Sequence, residues 1–250
     1  MRHLCIWIGF AALAVGVLLL ASVASAQTRD VIPATGGNIT IVPVYHGSLQ
    51  VLYANHVIDV DPAAPANFTG LRAPDIILVT DIHEDHLDPA LVGRLRTPMT
   101  AIIAPSAAAG QLMGSTVMAN GDTKSVMGLS IQAVPMYNIV RGPSAGELFH
   151  TKGRGNGYIV TLGGKRLYFA GDTECIPEMR TLTNIDVAFI PMILPYTMPP
   201  SEAAECVKAF KPKIVYPYHY QGANLNEFAD ALKGTGIEVR LREWYSTGTK

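Results

Sequence analysis

Apolar and polar positions first organise into strands between residues 39 and 60. The β-branched runs Ile39-Thr40-Ile41-Val42 and Val57-Ile58-Asp59-Val60 are separated by turn residues and predict paired strands, the second ended by Asp61-Pro62. The stretch 62 to 75 is proline-punctuated and aperiodic, and reads as a loop. Ile76-Ile77-Leu78-Val79 is short, continuous and apolar, the pattern of a strand buried on both faces. Asp88-Pro89 opens a helix to about Leu95, with proline in its first turn. A strand from Ala101 to Ala104 and an Ala-rich helix from Ser106 to about Leu112 follow. Residues 126 to 170 are again strand-like. There Tyr158–Leu162 and Lys165–Ala170 flank Gly163-Gly164, whose two glycines supply the positive φ of a tight hairpin. The remainder alternates: a strand Asp186–Ile190, a helix through Phe210 capped by Ser201, a strand Lys213–Tyr216, a helix Asn224–Leu232 and a strand Ile237–Leu241. Strands grouped early, with helices alternating later, imply sheets covered by helices rather than a doubly wound parallel sheet.

The N-terminal segment has a different pattern. Arg2 and His3 precede an apolar run from Leu4 to Leu20, and Ala24-Ser25-Ala26 completes a charged start, an apolar middle and a small-residue cleavage site. Residues 1–26 are therefore expected to be a signal peptide, and 27–250 one exported domain, periplasmic or secreted, with no stable membrane anchor after cleavage. Losing Arg2 and no acid takes the formal net charge from −1 to −2, which gives no basic footprint for nucleic acid. The expected partner is a small-molecule substrate. Cys5 leaves with the leader. Cys175 and Cys206 then remain, and they read as two separate, mostly buried thiols.

Candidate chemistry concentrates in Thr80-Asp81-Ile82-His83-Glu84-Asp85-His86, directly after the apolar strand. Alternating imidazoles and carboxylates at a strand end can converge on one point, and that donor mixture suits Zn²⁺, Mn²⁺ or Fe²⁺. Three further groups stand at predicted strand ends or turns: His150 before Thr151-Lys152-Gly153-Arg154, Gly171-Asp172-Thr173-Glu174, and Pro217-Tyr218-His219-Tyr220. Ligands spread this way suit a site between two packed sheets. Gly153-x-Gly155-x-Gly157 precedes a strand rather than opening a helix, so it is no dinucleotide fingerprint. No nucleophile elbow occurs, and neither cysteine has a nucleophile's setting.

The order of these motifs resembles the metallo-β-lactamase superfamily, in particular its branch of hydrolases akin to ascorbate-6-phosphate lactonase. The similarity rests on His46-Gly47-Ser48, Asp61-Pro62, Thr80 through His86, His150 with Lys152-Gly153, Gly171-Asp172-Thr173, Tyr196-Thr197-Met198, Ala203-Ala204-Glu205, and Lys211-Pro212-Lys213 leading to His219. The resemblance implies an α/β (α+β) fold, a four-layer αββα sandwich, with a hydrolytic centre of one or two divalent ions. It implies one ion at Asp81, His83 and His150, and a second at Asp85, His86 and His219, with Asp172 bridging. Asp85 would also orient the attacking water. The family has His where this chain has Asp81. With three ionised carboxylates, two divalent ions and a hydroxide the centre is neutral, whereas a histidine at 81 would leave it with one positive charge. Asp81 should therefore make the bound water less acidic and shift preference from Zn²⁺ towards Mn²⁺ or Fe²⁺. His46, Lys152 and Tyr196 are candidates for contacting substrate.

These features predict hydrolysis of a lactone, ester or phosphodiester. Two alternatives stay open. One is β-lactam cleavage, which Asp172 disfavours because true β-lactamases of the superfamily usually carry Cys or Ser there. The other is a non-catalytic metal- or ligand-binding protein whose first site decayed at position 81.

Overall fold

The computed structural model describes residues 29–245; the expected leader and its cleavage site lie outside them. Two seven-stranded sheets follow one another along the chain. The first holds β1 (Asp30–Ile32), β2 (Ile39–Tyr45), β3 (Ser48–Tyr53), β4 (His56–Val60), β5 (Ile76–Leu78), β6 (Ala101–Ala104) and β7 (Thr116–Val117), in sequential order. Helices α1 (Pro89–Leu95) and α2 (Ser106–Ala109) cover its outer face. The second sheet holds β8 (Thr123–Val126), β9 (Leu129–Met136), β10 (Gly155–Leu162), β11 (Lys165–Phe169), β12 (Val187–Pro191), β13 (Ile214–Tyr218) and β14 (Glu238–Val239). Its outer face carries α3 (Pro177–Arg180), α4 (Pro200–Phe210) and α5 (Leu225–Ala231). Each sheet begins as an antiparallel meander and continues with parallel strands, β4 to β7 in the first and β11 to β14 in the second.

Side-chain alternation explains the layers. On β5, Ile76 and Leu78 enter the core between the sheets, while Ile77 packs outwards with Val79, Val92 of α1 and Ala108 of α2. On β12, Val187 and Phe189 face inwards, while Ala188 and Ile190 meet Ala203, Val207 and Phe210 of α4. Both strands are buried on both faces, which is why they read as continuous apolar runs. Phe169, Phe189 and Tyr216 stack across β11, β12 and β13 with ring centroids 4.9 and 5.1 Å apart. The parallel strands point their C-terminal ends towards one edge of the sandwich, and the loops leaving that edge carry the chemistry.

The expected four-layer sandwich is the architecture observed, with α1 and β6 spanning the anticipated residues. Gly163 and Gly164 have φ of 53° and 77° and close the predicted hairpin between Leu162 and Lys165. Other elements differ. Helix α2 ends at Ala109, and Ser201 does not cap α4, because Pro199 holds the N-cap position and Pro200 the first turn. Strand β13 runs two residues past the expected Tyr216, so Tyr218 enters the core and His219 emerges at the sheet edge. Cys175 and Cys206 are not separate thiols: they form a disulfide, with Cα atoms 5.5 Å apart, fastening the loop after Asp172 to α4. No helix among the described residues is long and apolar enough to cross a membrane.

Candidate metal centre

Three strand ends, one turn and the loop before β10 converge between the sheets. The segment after β5 delivers Asp81, His83, Asp85 and His86; the loop after β11 delivers Asp172; β13 ends at His219. His46 sits in the β2–β3 turn, and His150 lies five residues before β10. His46, Asp61 and His219 all have positive φ, at 55°, 45° and 49°. Non-glycine residues rarely adopt this conformation, and it concentrates at functional sites. Backbone bonds lock two of them together, His219 donating to the carbonyl of His46 at 3.1 Å.

Two donor sets result. One oxygen or nitrogen from each of Asp81, His83 and His150 lies within 4.8 Å of the others, and the same holds for Asp85, His86, Asp172 and His219. Asp172 touches both sets: its Oδ2 is 3.3 Å from Nε2 of His86 and 3.3 Å from Nε2 of His150, and its Oδ1 is 3.6 Å from Nε2 of His219. These are contacts without hydrogen bonds. Nε2 of His86, Nε2 of His150, Oδ1 of Asp172 and Nδ1 of His219 are buried with no hydrogen-bond partner among the described residues. Buried polar atoms are rarely left so, and three of these, Nε2 of His86, Nε2 of His150 and Oδ1 of Asp172, gathered about one carboxylate with Nε2 of His219 also facing it, fit divalent metal ions.

The field of the cluster agrees. Burial alone would raise the Asp172 carboxyl, but the charges of His219 and His86, with the His86 and His150 imidazoles 3.3 Å from its Oδ2, hold it well below the usual range. Asp85 is likewise pulled down against its burial, chiefly by His219 and His46, which both approach its Oδ2, at 3.1 and 3.2 Å. Burial would strip the proton from His86, yet the Asp172 and Asp61 carboxylates outweigh it and raise its pKa well above the ordinary value. Both acids are thus held as carboxylates, the form that ligates metal.

A second ring of residues orients the first. Asp61 Oδ2 is 2.8 Å from Nδ1 of His86, both groups fully buried, and Asp61 also accepts from Thr80 N at 2.7 Å and Thr80 Oγ1 at 2.6 Å. Nδ1 of His150 meets Oδ1 of Asn138 at 2.5 Å, and Asn138 donates onward to Glu174 and to the carbonyl of Tyr196. Glu174 accepts the backbone N–H groups of Ile139, Val140 and Arg141, which pins the whole 138–141 segment. A partner on the far nitrogen of a histidine fixes which nitrogen faces the metal. Sequence alone placed Asp61 and Glu174 within motifs but gave them no role, and gave no sign of Asn138 or of Tyr245, whose hydroxyl is 2.6 Å from Nδ1 of His46.

The substrate candidates separate. His46 and Tyr196 line a cleft of about 480 Å³ together with His83, Glu84, Asp85, Phe149, His150, Asp172, Ile193 and Gln221. Lys152 does not line it. Its ammonium pairs with Glu178 at 2.5 Å and lies over the Tyr137 ring, turned aside from the centre. Arg154, two residues on, instead grips Asp81.

Comparison with known proteins places this geometry. A family profile described as the beta-lactamase superfamily domain matches residues 41–219, which include every residue of both donor sets. The chain belongs to that superfamily. Relatives within it carry the same description of activity. A UPF0173 metal-dependent hydrolase of Symbiobacterium thermophilum is 34% identical over 190 residues, covering 73% of this chain and 80% of its own. A crystal structure of a Parabacteroides distasonis protein, assigned as a metal-dependent hydrolase, is 44% identical with a TM-score of 0.82, over 87% of this chain and 99% of that one. A metallo hydrolase of Ignicoccus hospitalis shares the fold at 24% identity, with a TM-score of 0.69 over 82% of this chain and 95% of that one. This superfamily member is accordingly a metal-dependent hydrolase with His/Asp metal-binding clusters.

Proposed function

We propose that the protein is an exported, two-metal hydrolase of neutral carbonyl substrates, a lactone or ester bearing an apolar substituent. The observation that carries this reading is the cleft wall. Phe149, Ile193 and Tyr196 face the donor sets, with the Phe149 and Tyr196 rings 5.0 Å apart edge to face. The nearby cations are engaged elsewhere: Lys152 by Glu178, Arg154 by Asp81, and Arg141 by Glu174 and Glu202. Glu84 and Asp85 add negative charge at the cleft. An anionic phosphodiester would meet an apolar and acidic wall, whereas a neutral acyl compound would bury its substituent there.

The residues divide the work. When bound, divalent ions supply a nucleophilic hydroxide near neutral pH and polarise the substrate carbonyl. Asp81, His83 and His150 would hold one ion, and Asp85, His86 and His219 the other, with Asp172 between them. Asp85, half-exposed and hydrogen-bonded to His46 and His219, would orient the attacking water from the cleft side. Tyr245 and Asp61 keep His46 and His86 in place. Phe149, Ile193 and Tyr196 exclude solvent around the substituent. No Ser, Thr, Cys or Lys lines the cleft among the described residues, which favours direct attack by water over a covalent intermediate. The Cys175–Cys206 bond supports export, since disulfides persist in oxidising compartments.

The test is a substrate panel matched in leaving group: alkyl and aryl esters, lactones of increasing substituent length, a phosphodiester and a β-lactam. Turnover of lactones or esters that rises with apolar substituent and is lost reversibly to chelator is the expected result. Preferential cleavage of the phosphodiester or the β-lactam would overturn the reading.

A further inference from the structure

Arg154 makes two parallel contacts to Asp81, Nε to Oδ1 at 3.2 Å and Nη2 to Oδ2 at 2.8 Å. The Asp81 side chain is fully buried, and Arg154 is about a quarter exposed. A guanidinium fork on both oxygens of a buried carboxylate is a strong, geometrically specific pairing. The chain is shaped to make it. Asn156 N donates to the Thr80 carbonyl at 2.9 Å, so the start of β10 lies directly against the segment carrying Asp81. Only glycine fits between them: a Cβ on Gly155 would collide with Met136 and come within 2.8 Å of the Thr80 oxygen. Arg154 is thereby held one residue from that contact, facing Asp81. Of the two oxygens, Oδ2 is the one turned towards the histidines, 3.0 Å from Nδ1 of His83 and 3.7 Å from Nε2 of His150.

We infer that Arg154 is a positioning residue of the metal centre, which fixes Asp81 with Oδ2 towards His83 and His150 and cancels its charge, so that the Asp81–Arg154 pair stands in for a neutral imidazole. The expected effect of Asp81 on metal preference assumed an uncompensated carboxylate; the cation beside it removes that assumption. Two consequences follow. The set of Asp81, His83 and His150 is neutral overall with Arg154 present, whereas Asp85 and Asp172 have no arginine or lysine paired to them among the described residues. Ions should therefore load in order, first at Asp85, His86, Asp172 and His219, then at Asp81, His83 and His150. Replacing Asp81 by His while keeping Arg154 should harm the second site, because an unpaired guanidinium would then face a divalent ion.

The inference rests on the two-ion reading above, and the test separates the two. Full-length mature protein is stripped with chelator, and Zn²⁺ and Mn²⁺ are titrated by calorimetry and native mass spectrometry into wild type, Asp81→His, Arg154→Met, Arg154→Lys and the double variant Asp81→His/Arg154→Met. Thermal unfolding of each stripped variant checks folding. Wild type should bind two ions in two steps. Asp81→His should weaken the second step roughly tenfold or more, and the double variant should recover it, a non-additivity characteristic of directly coupled residues. Arg154→Met alone should tighten the second step and move its preference towards Mn²⁺, while Arg154→Lys, which keeps the charge, should stay near wild type in that preference. Two ions with additive effects of the two substitutions would overturn the role of Arg154 and leave the two-ion reading standing. A wild type that binds a single ion would overturn both. If Arg154→Met does not fold, the comparison of Asp81→His with wild type and Arg154→Lys still decides: equal or tighter second-step binding in Asp81→His contradicts the proposal.

Discussion

Asp61→Asn is the sharpest single perturbation of the centre, because it changes one atom and touches no ligand position. Both carboxylate oxygens of Asp61 accept: Oδ1 from Thr80 N at 2.7 Å, Oδ2 from Thr80 Oγ1 at 2.6 Å and from Nδ1 of His86 at 2.8 Å. An asparagine offers one acceptor and one donor. With its oxygen on Thr80 N, its amide would donate to Nδ1 of His86, moving the imidazole hydrogen to Nε2, the atom that faces Asp172 and must be bare to ligate. With the amide flipped, two buried donors would confront each other. Either way the stripped protein should lose about 1–3 kcal/mol, the usual cost of an unsatisfied buried group. Metal affinity at the set containing His86 should fall about 10–100-fold, as for other outer partners of ligating histidines. Chelator-competition titration gives the affinity, thermal unfolding the stability, and ¹⁵N NMR the His86 tautomer. Affinity within about threefold of wild type, with the tautomer unchanged, would refute the claim that Asp61 orients His86.

Metal uptake by stripped protein should release protons. His86 is held protonated above its ordinary pKa by Asp172 and Asp61, so affinity should fall as pH falls; calorimetry in buffers of different ionisation enthalpy reads the release, and a buffer-independent enthalpy would contradict it. Buried Asp59 on β4, donated to among the described residues by Gln50 alone, has its pKa pushed up to about 7 by burial. From about pH 4 to 7 the unfolded chain loses a proton that the folded chain keeps, so this group's contribution falls as pH rises, by up to roughly 4 kcal/mol. Asp59→Asn should accordingly be more stable than wild type at pH 8 but not at pH 4, and parallel melting profiles at the two pH values would speak against it. Reducing Cys175–Cys206, which closes a sequence separation of 31, should cost about 3–4 kcal/mol on the chain-entropy relation, seen as a lower Tm under reductant; an unchanged Tm would show that the bond does not constrain the unfolded chain.

Much of the layer order was legible because burial writes itself into local patterning. Strands β5 and β12 are apolar on both faces, and α1 carries its own punctuation in Asp88-Pro89, with Asp88 Oδ1 accepting from Ala90 N and Leu91 N. The residues of the two donor sets were readable because they cluster at strand ends. What stayed hidden depends on contacts between distant segments. Asn138 reaches His150 across twelve residues, and Cys175 meets Cys206 only because α4 folds back over the loop after Asp172. Lys152 and Arg154 look interchangeable in sequence as basic loop residues, yet the backbone turns one to Glu178 and the other to Asp81. Ser201 looked like a cap by residue type alone, but prolines at 199 and 200 set the helix start two residues earlier.

The central claim is that water held in this centre attacks the substrate directly, and a single-turnover reaction in ¹⁸O-labelled water tests it most directly. Excess enzyme, loaded with metal, is mixed with a lactone or ester and quenched within the first cycle, and the product acid is weighed by mass spectrometry. The account predicts one ¹⁸O in the product carboxylate from that first cycle and no mass added to the protein. Unlabelled first-cycle product, or a trapped acyl group on Glu84, Asp85 or any other side chain, would contradict it.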